Sequence, residues 1–307
     1  MGAFRVTQRL LVDRVLTNLG SQNRAILRLQ EQLSTGQRVN RPSDDPLDAR
    51  RAISARAEIN KYQQYLTNIS TAGPQLTETE TTVQTVIDRV QRARELALQG
   101  ASGTNAQAQR DQIAIEVNQL LEGVLVDGNH QTNGRYIFGG TRTLAPPFEA
   151  TRDANGEITA VTYVGNDTRF ELEIQDGVRV PVNQSGSDVF GTTGLPAVDV
   201  FQMLIGLRDN LRANDQTGLQ TRLSELDIAD DQLGIALSGV GSVQNRMDGV
   251  DTELRTQITQ QQQVLSDAID ADIAEVIINL NAQNNAFQAA LSAGANVIQP
   301  SLLDFIR

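Results

Sequence analysis

The stretch ITQQQQVLSDAIDADIAEVIINLNAQNNAFQAALSAGANVI, residues 258–298, decides the fold class. Its large apolar residues are separated alternately by seven and by four positions, and this 11-residue repeat predicts a helix with a nearly straight apolar stripe. At the helical rise the stripe is roughly 60 Å long. Because one helix cannot bury such a stripe against itself, another helix or another subunit must cover it. The stripe consists of Ile258, Leu265, Ile269, Val276, Leu280, Phe287, Leu291 and Ile298.

A second apolar pattern lies at the N-terminal end of the chain. Between residues 12 and 33 the pattern advances by alternating steps of four and three, which is the spacing of a coiled-coil seam. Gly36 follows the seam and is a plausible helix stop. We predict that another helix or another subunit covers both patterns, and that Leu16, Leu19, Ile26 and Leu33 contribute to this interface together with the C-terminal stripe. The N-terminal positions are Val12, Leu16, Leu19, Asn23, Ile26, Gln30 and Leu33, of which Asn23 and Gln30 are polar.

Proline, glycine and the aromatic residues divide the chain into three zones. Residues 1–41 and 197–299 contain no proline. Both ranges therefore permit long helices, because proline removes a helical N–H donor and clashes with the preceding turn. Glycine and aromatic residues are concentrated between Gly128 and Phe201, so the middle zone differs in kind from the ends. The helices predicted between the N-terminal seam and the middle zone cover 53–65, 83–98 and 113–121, with a break at Gly73-Pro74.

The middle zone is predicted to be β structure. Apolar and polar residues alternate from Glu157 to Val164, and a second apolar face with period two follows at residues 170–174. Asp176-Gly177 then connects this segment to Val178, which is typical of a tight hairpin.

These zones predict a mainly α fold with a small β insert. We expect an elongated bundle of long helices formed by both chain ends, with a mid-chain β domain. The predicted boundaries are residues 1–140 and 191–307 for a discontinuous helical domain, and residues 141–190 for a β-rich domain. The extreme ends are expected to pair as a coiled coil.

Composition excludes several classes of function. The formal net charge of −11 and a pI near 4.7 argue against nucleic acid as a partner, since a phosphate backbone attracts clustered Lys and Arg. The chain has no cysteine, so disulfides and thiolate chemistry are absent. The first residues lack the apolar region of a signal peptide, and no apolar run is long enough to span a bilayer. We therefore expect no membrane partner and no cleaved signal.

The sequence offers no catalytic constellation, cofactor motif or metal motif. His130 is the sole histidine and lies in a polar turn, which favours a surface role. Asp267, Asp270 and Asp272 lack the spacing of a calcium loop and fall within the helical repeat, so a solvated helix face is expected. Asp44 and Asp45 could form an acid pair, but helix capping or turn formation is the better interpretation. We predict that the protein is not an enzyme.

Two segments resemble a known family. LSTGQRVNRPSDDP at residues 33–46 is similar to the N-terminal signature of flagellins and hook-associated proteins, and VQNR at 243–246 with the stretch from Ala289 to Ile306 is similar to their C-terminal region. The resemblance covers about the first 135 and last 100 residues. The motif residues are Arg41, Pro42, Ser43, Asp44, Asp45 and Pro46, together with Asn245 and Arg246.

Within this family, three features favour the branch that forms the hook–filament junction. Pro46 follows the paired Asp44 and Asp45, the segment 133–148 resembles that branch's entry into its β domain, and the ending at 300–306 is similar to its C-terminus. The resemblance implies a structural protein of the extracellular flagellum, exported unfolded by a type III route. Its implied partners are copies of itself in a ring-like oligomer, a neighbouring hook-associated protein, flagellin and an export chaperone. A filament flagellin is the first alternative, and a coiled-coil signalling protein is a more distant one.

Overall fold

A computed structural model describes residues 2–102, 106–191 and 198–298, most of which are helical. Long helices lie toward both ends of the chain and short strands lie between them, in the order that the sequence zones predict. The predicted fold class is therefore confirmed. The helices are α1 (Gly2–Thr35), α2 (Pro46–Gly100), α3 (Gln107–Gly128), α4 (Gly186–Phe190), α5 (Val200–Ala213), α6 (Gln216–Ile269) and α7 (Ile273–Ile298).

The strands form three separate antiparallel hairpins in the described part of the chain. The predicted hairpin at Asp176-Gly177 is confirmed, and Gly177 has a φ of +68°, which the tight turn requires. The strand predicted from 157 to 164 is also present, but its partner at 148–152 was not predicted. The pairs are β1 (Gln131–Thr132) with β2 (Arg135–Tyr136), β3 (Phe148–Arg152) with β4 (Ile158–Tyr163), and β5 (Glu171–Gln175) with β6 (Val178–Pro181).

The chain divides into two compact units. Unit 1 comprises Met1–Lys61 and Thr256–Arg307, and unit 2 comprises Tyr62–Arg255. Both chain ends therefore belong to one unit. The unit limits differ from the predicted limits at 140 and 190, because the hairpins share their buried cores with helices and do not form a core of their own.

Aromatic side chains hold the hairpin β3–β4 against helices in unit 2. Phe148 contacts Phe190 and Phe201, with ring centroids 5.0 and 4.9 Å apart, and all three side chains are fully buried. Arg208 of α5 is also buried, and its guanidinium donates to the Ile158 carbonyl at 2.8 Å. A buried charge needs such partners because desolvation is otherwise costly. The concentration of aromatic residues in the middle zone thus marks a core that helices and strands share.

The hairpin β5–β6 packs on α2 and α6, also within unit 2. Ile174 and Val180 are buried together with Tyr65 and Ile69 of α2. The Asn68 side chain donates to the Glu173 carbonyl at 2.8 Å and so fixes the strand edge to the helix.

The predicted helix break at Gly73-Pro74 is wrong, because α2 continues through it to Gly100. Pro74 lacks an N–H donor, so one carbonyl in the preceding turn has no helical partner. However, Pro74 is exposed, whereas Ala72 and Leu76 on either side are 3% and 2% exposed. Burial of these neighbours stabilises the helical path and outweighs the lost hydrogen bond. The predicted stop at Gly36 is confirmed, since α1 ends at Thr35.

The C-terminal repeat was predicted as one helix, and this prediction is also wrong. The chain breaks at Asp270–Asp272 between α6 and α7. Asp272 begins α7, because its Oδ1 accepts the N–H groups of Ala274 at 2.9 Å and Glu275 at 3.2 Å. An aspartate in this position is a strong N-cap. Asp270 and Asp272 therefore lie at a helix junction, while Asp267 remains on α6.

Candidate assembly surface

Helices α1 and α7 of unit 1 pack against each other in antiparallel order. Near the start of α1, Val15 lies against Gly294, where an added Cβ would come within 2.9 Å of the valine Cγ1. After the end of α1, the Gly36 carbonyl accepts the Ala271 N–H at 2.9 Å. The two ends of the chain thus cover part of each other's apolar surface within one molecule.

The seam on α1 follows a different frame from the predicted one. Steps of three and four can begin in either order, and the two resulting frames share every seventh residue. Shared positions are Val12, Leu19, Ile26 and Leu33, of which Ile26 is buried. The predicted positions Leu16, Asn23, Gln30 and Leu33 are exposed. The less exposed face consists of Val12, Val15, Leu19, Gln22, Ile26 and Leu29.

Sequence reasoning missed the alternative frame because Gln22 is polar. Its side-chain oxygen is buried and has no hydrogen-bond partner among the described residues. Val15 and Leu29, seven residues on either side of Gln22, were the signal that could have identified this face.

The C-terminal stripe is divided among three environments. Ile269 and Val276 are buried, whereas Ile258, Leu265, Leu280 and Phe287 are half-buried. Leu291 is exposed, and the Ile298 side chain lies outside the described part. The 11-residue repeat was defined by large apolar residues alone. It therefore missed the small and polar residues Gln283, Ala290 and Gly294 on the same face of α7. The inner face of α7 consists of Val276, Leu280, Gln283, Phe287, Ala290 and Gly294.

Unit 1 exposes a set of large apolar side chains. Leu16 and Leu27 of α1 are 57% and 55% exposed, and they lie 11 residues apart, close to three helical turns. On α7, Ile278 is 68% exposed and Leu291 is 47% exposed. No charged residue occurs between Val276 and Leu303, so the outer surface of α7 after Glu275 is uncharged in its described part. Such a surface is typical of a protein–protein interface.

The segment after α1 is clamped to the α6–α7 junction. The backbone N–H of Arg38 donates to the Ile269 carbonyl at 2.6 Å, and the Arg38 guanidinium donates to the Ala268 carbonyl at 2.9 Å. Val39, Ala268 and Ile269 are buried in a small apolar cluster with residues of α2. These contacts within unit 1 therefore join segments that are 230 positions apart in the sequence.

The motif residues form the turn that leads into α2. Asp44 orders the turn, since its Oδ2 accepts the Arg41 N–H at 2.9 Å. Asp45 caps α2, because its Oδ1 accepts the N–H groups of Leu47 at 3.0 Å and Asp48 at 3.1 Å. The predicted capping and turn roles of the two aspartates are thus confirmed. Arg41, Pro42, Ser43 and Pro46 are exposed along this turn.

Arg38 adds charge interactions to the same turn. Its guanidinium lies 2.5 Å from Asp48 Oδ2 and 3.4 Å from Asp45 Oδ2. The hydrogen bond from the Asp48 N–H, with that from Arg38, holds the pKa of Asp45 below its ordinary value. The carboxylate therefore stays ionised and keeps its capping role over a wider pH range.

The two motif residues from the C-terminal part of the chain lie in unit 2. Asn245 and Arg246 are exposed on α6 in unit 2 and are not in the turn that contains Asp44 and Asp45. The ending at 300–306, which resembles the C-terminus of the junction-forming branch, lies outside the described residues.

The structure brings together no recognisable metal or membrane site. Within the ranges that the structure describes, no three His, Asp or Glu side chains are grouped as metal ligands. None of the helices in those ranges has the length and hydropathy needed to cross a bilayer. The notable surface of unit 1 is therefore its uncharged apolar face.

Comparisons with known proteins agree with the motifs. Residues 10–143 match the sequence profile of the bacterial flagellin N-terminal helical region. Flagellar hook-associated protein 3 of Escherichia coli (strain K12) is 24% identical over 311 residues, which span 94% of this chain and 96% of that protein. Flagellin FlaB1 of Treponema pallidum is 28% identical over 294 residues, which span 94% of this chain and 95% of that protein.

A solved structure also matches the fold. The structure described as a flagellar hook-associated protein from Vibrio parahaemolyticus has a TM-score of 0.65 to this chain. The match covers 74% of this chain and 100% of that one, at 21% sequence identity.

The chain has a flagellin-like fold and is similar to hook-associated proteins and flagellins over nearly its full length. The resemblance to the flagellin family that the sequence indicated is confirmed. Within that class the chain is similar to flagellar hook-associated protein 3 over nearly its full length, as the motifs around Pro46 and residues 133–148 predicted.

Proposed function

We propose that the protein polymerises at the hook–filament junction of a bacterial flagellum and templates the assembly of the filament. The observation that carries this proposal is the near full-length similarity to hook-associated protein 3. Its role is structural and not catalytic. A layer of subunits matches the surface of the hook on one side and presents a starting surface for flagellin on the other.

Unit 1 provides the contacts between copies in this proposal. The inner faces of α1 and α7 already cover each other, so copies associate through side chains that remain exposed, such as Leu16, Ile278 and Leu291. Burial of apolar surface contributes about 25 cal/mol per Å². Because each copy in a symmetric assembly repeats the same contact, modest areas sum to a stable polymer.

The two chain ends line the inner part of the tube, and their extreme residues pair as a coiled coil in the polymer. Residues 1–140 and 191–307 form the helical assembly domain, and residues 141–190 face outward. Support comes from the location of both ends in unit 1 and of all six strands in unit 2. The hairpins then form an outer surface on which substitutions leave assembly intact.

The partners follow from this position. Copies of the chain form a ring-like layer that contacts a neighbouring hook-associated protein below and flagellin above. The protein acts outside the cell, after unfolded export from the cytoplasm with an export chaperone. The absence of cysteine from the sequence suits this route, since an exported unfolded chain then carries no stray thiol.

A filament flagellin is the second candidate, supported by the 28% identity to a Treponema pallidum flagellin over nearly the whole chain. Immunogold labelling of intact flagella separates the two functions. A junction protein labels one position between hook and filament and is scarce in sheared filaments. Labelling along the filament would overturn the junction proposal and support the flagellin alternative.

A further inference from the structure

A groove of about 640 Å³ lies between α1 and α7 in unit 1. Small side chains line part of it, namely Ser21 and Ala25 of α1 and Ala282 of α7. Small residues at such positions let the backbone of a further helix or turn approach closely. Arg24 and Arg28 also line this groove.

The two arginines of the groove are a pair of like charges. They lie four positions apart on α1, which places them on the same side of the helix, where like charges repel. Both are exposed, and neither forms an ion pair among the residues that the structure describes. A negatively charged partner on this groove would relieve that repulsion.

The α6–α7 junction carries the complementary charge. Residues 267–275 contain four acidic side chains and no basic one. All four are exposed, and no ion pair to them occurs in the described part of the chain. The acidic residues are Asp267, Asp270, Asp272 and Glu275.

No ion pair joins these two charged surfaces within one copy in the described part of the chain. The junction lies beside Gly36, whose carbonyl binds the Ala271 N–H. Arg28 and Arg24 precede Gly36 by eight and twelve positions, which corresponds to about 12 and 18 Å along the helix. The basic groove and the acidic junction are therefore displaced along the α1–α7 pair of a single molecule.

We propose that the Arg24–Arg28 groove of one copy binds the acidic α6–α7 junction of a second copy. The contact uses two different surfaces, so it is heterologous and continues from copy to copy into a ring or a helical layer. Charge complementarity determines which surface of one copy contacts which surface of the next, and the exposed apolar residues add contact area. This inference rests on the proposed assembly function and specifies the partner surface for it.

A charge-swap experiment in cells tests the proposal. The chromosomal copy is deleted, and variants of the full chain are expressed in its place. One variant carries Arg24→Glu with Arg28→Glu, a second carries Asp267→Lys with Glu275→Lys, and a third combines all four substitutions. Asp272 is left unchanged because it caps α7. The amount of protein on purified hooks and in the medium is measured.

We expect each two-site variant to be exported at the wild-type level but to be at least fivefold depleted on hooks. The combined variant should recover to within about twofold of wild type, because its surfaces are complementary again. A matched control, Arg14→Glu with Arg50→Glu, changes the net charge equally on residues outside the groove and should be retained normally. Far-UV circular dichroism of the purified chains checks that every variant is folded.

Normal retention of both two-site variants would overturn this inference and leave the proposed function intact. A combined variant that is no better retained than either parent would also overturn it, since the two surfaces would then act independently. If the wild-type chain itself were absent from hooks, the proposed function would fail and this inference with it.

Discussion

Glu157 and Arg212 form a bidentate ion pair in unit 2. The guanidinium nitrogens donate to the two carboxylate oxygens at 2.5 and 2.7 Å and so link the β3–β4 hairpin to α5. The hydrogen bond from Arg212 lowers the pKa of Glu157 from its ordinary value of 4.5. Arg208 adds a further favourable charge.

Replacement of Glu157 by Gln should remove a pH-dependent part of the stability. Because the pKa of Glu157 is lower in the folded chain than in the unfolded chain, the pair stabilises the fold fully above the unfolded pKa. That contribution is lost as pH falls through the folded pKa. The stability gap between wild type and Glu157→Gln should therefore shrink from about pH 6 to about pH 3. Urea unfolding at several pH values measures it.

Glu149→Gln is the matched control for this prediction. Glu149 lies on the same hairpin, is exposed, and has no ion pair among the described residues. Its replacement should change stability little at any pH. A gap between wild type and Glu157→Gln that stays constant with pH would show that the Arg212 pair does not shift the titration of Glu157.

At the level of elements, two glycines show how one residue type takes opposite roles in helices. Gly249 lies inside α6, and Gly36 follows the end of α1 with a φ of +70°. A Cβ on either residue would meet no atom within 4 Å. Steric contact therefore does not distinguish them, and backbone conformation alone decides the effect of a substitution.

Gly249→Ala should stabilise unit 2 by about 0.5–1 kcal/mol, because alanine loses less backbone freedom in a helix. Gly36→Ala should instead destabilise unit 1 by about 1 kcal/mol or more, because a residue with a Cβ is strained in the left-handed region. Thermal unfolding followed by circular dichroism compares the two variants with wild type. Equal effects of the same sign would contradict the assigned helix geometry.

Two apolar residues of α7 allow the effects on folding and on assembly to be tested separately. Leu280 is half-buried on the face toward α1, so Leu280→Asp should weaken unit 1 by roughly 2–5 kcal/mol in addition to any charge penalty. Ile278 is 68% exposed, so Ile278→Asp should change the stability of the isolated chain by only about 0.5 kcal/mol. In a polymer, however, the same change would bury a charge at every copy.

We therefore expect Ile278→Asp to be exported and folded but to lose filaments from the hooks. Gln262→Asp, at an exposed position of α6, is the control and should keep them. Electron microscopy counts the hooks that carry filaments. Filament retention by Ile278→Asp would mean that the outer face of α7 is not an assembly surface.

Local signals predicted some elements better than others. The turn at Asp176-Gly177 was predictable because tight hairpins favour this pair of residues. The continuation of α2 through Pro74 was not, because it depends on burial of Ala72 and Leu76 by distant segments. The break before α7 did have a signal: Asp272 followed by Glu275 is a capping pattern that the apolar repeat obscured.

For the candidate site, sequence spacing located α1 and α7 but not which of their faces is occupied within the chain. Periodicity predicts that an apolar face is covered, but it does not distinguish an intramolecular partner from a second copy. The structure places Ile26 and Val276 inside unit 1 and leaves Leu16 and Leu291 exposed. The role of these exposed residues between copies stays a prediction.

At the scale of the whole molecule, the two ends of the chain belong to one unit although they are far apart in sequence. The signature residues after α1 contribute directly to this closure, since Arg38 binds the α6–α7 junction. A chain whose ends form one unit and expose an uncharged apolar face is suited to repeated assembly. The account therefore predicts a specific failure when the protein is absent from a flagellum.

Deletion of the gene in a motile strain is the most direct test of the junction role. We expect complete hooks without filaments, together with flagellin monomers in the growth medium, because flagellin would be exported but would have no surface on which to polymerise. Expression of the wild-type chain from a plasmid should restore the filaments. Normal filaments in the deletion strain, or bare hooks without flagellin in the medium, would contradict a junction role for this protein.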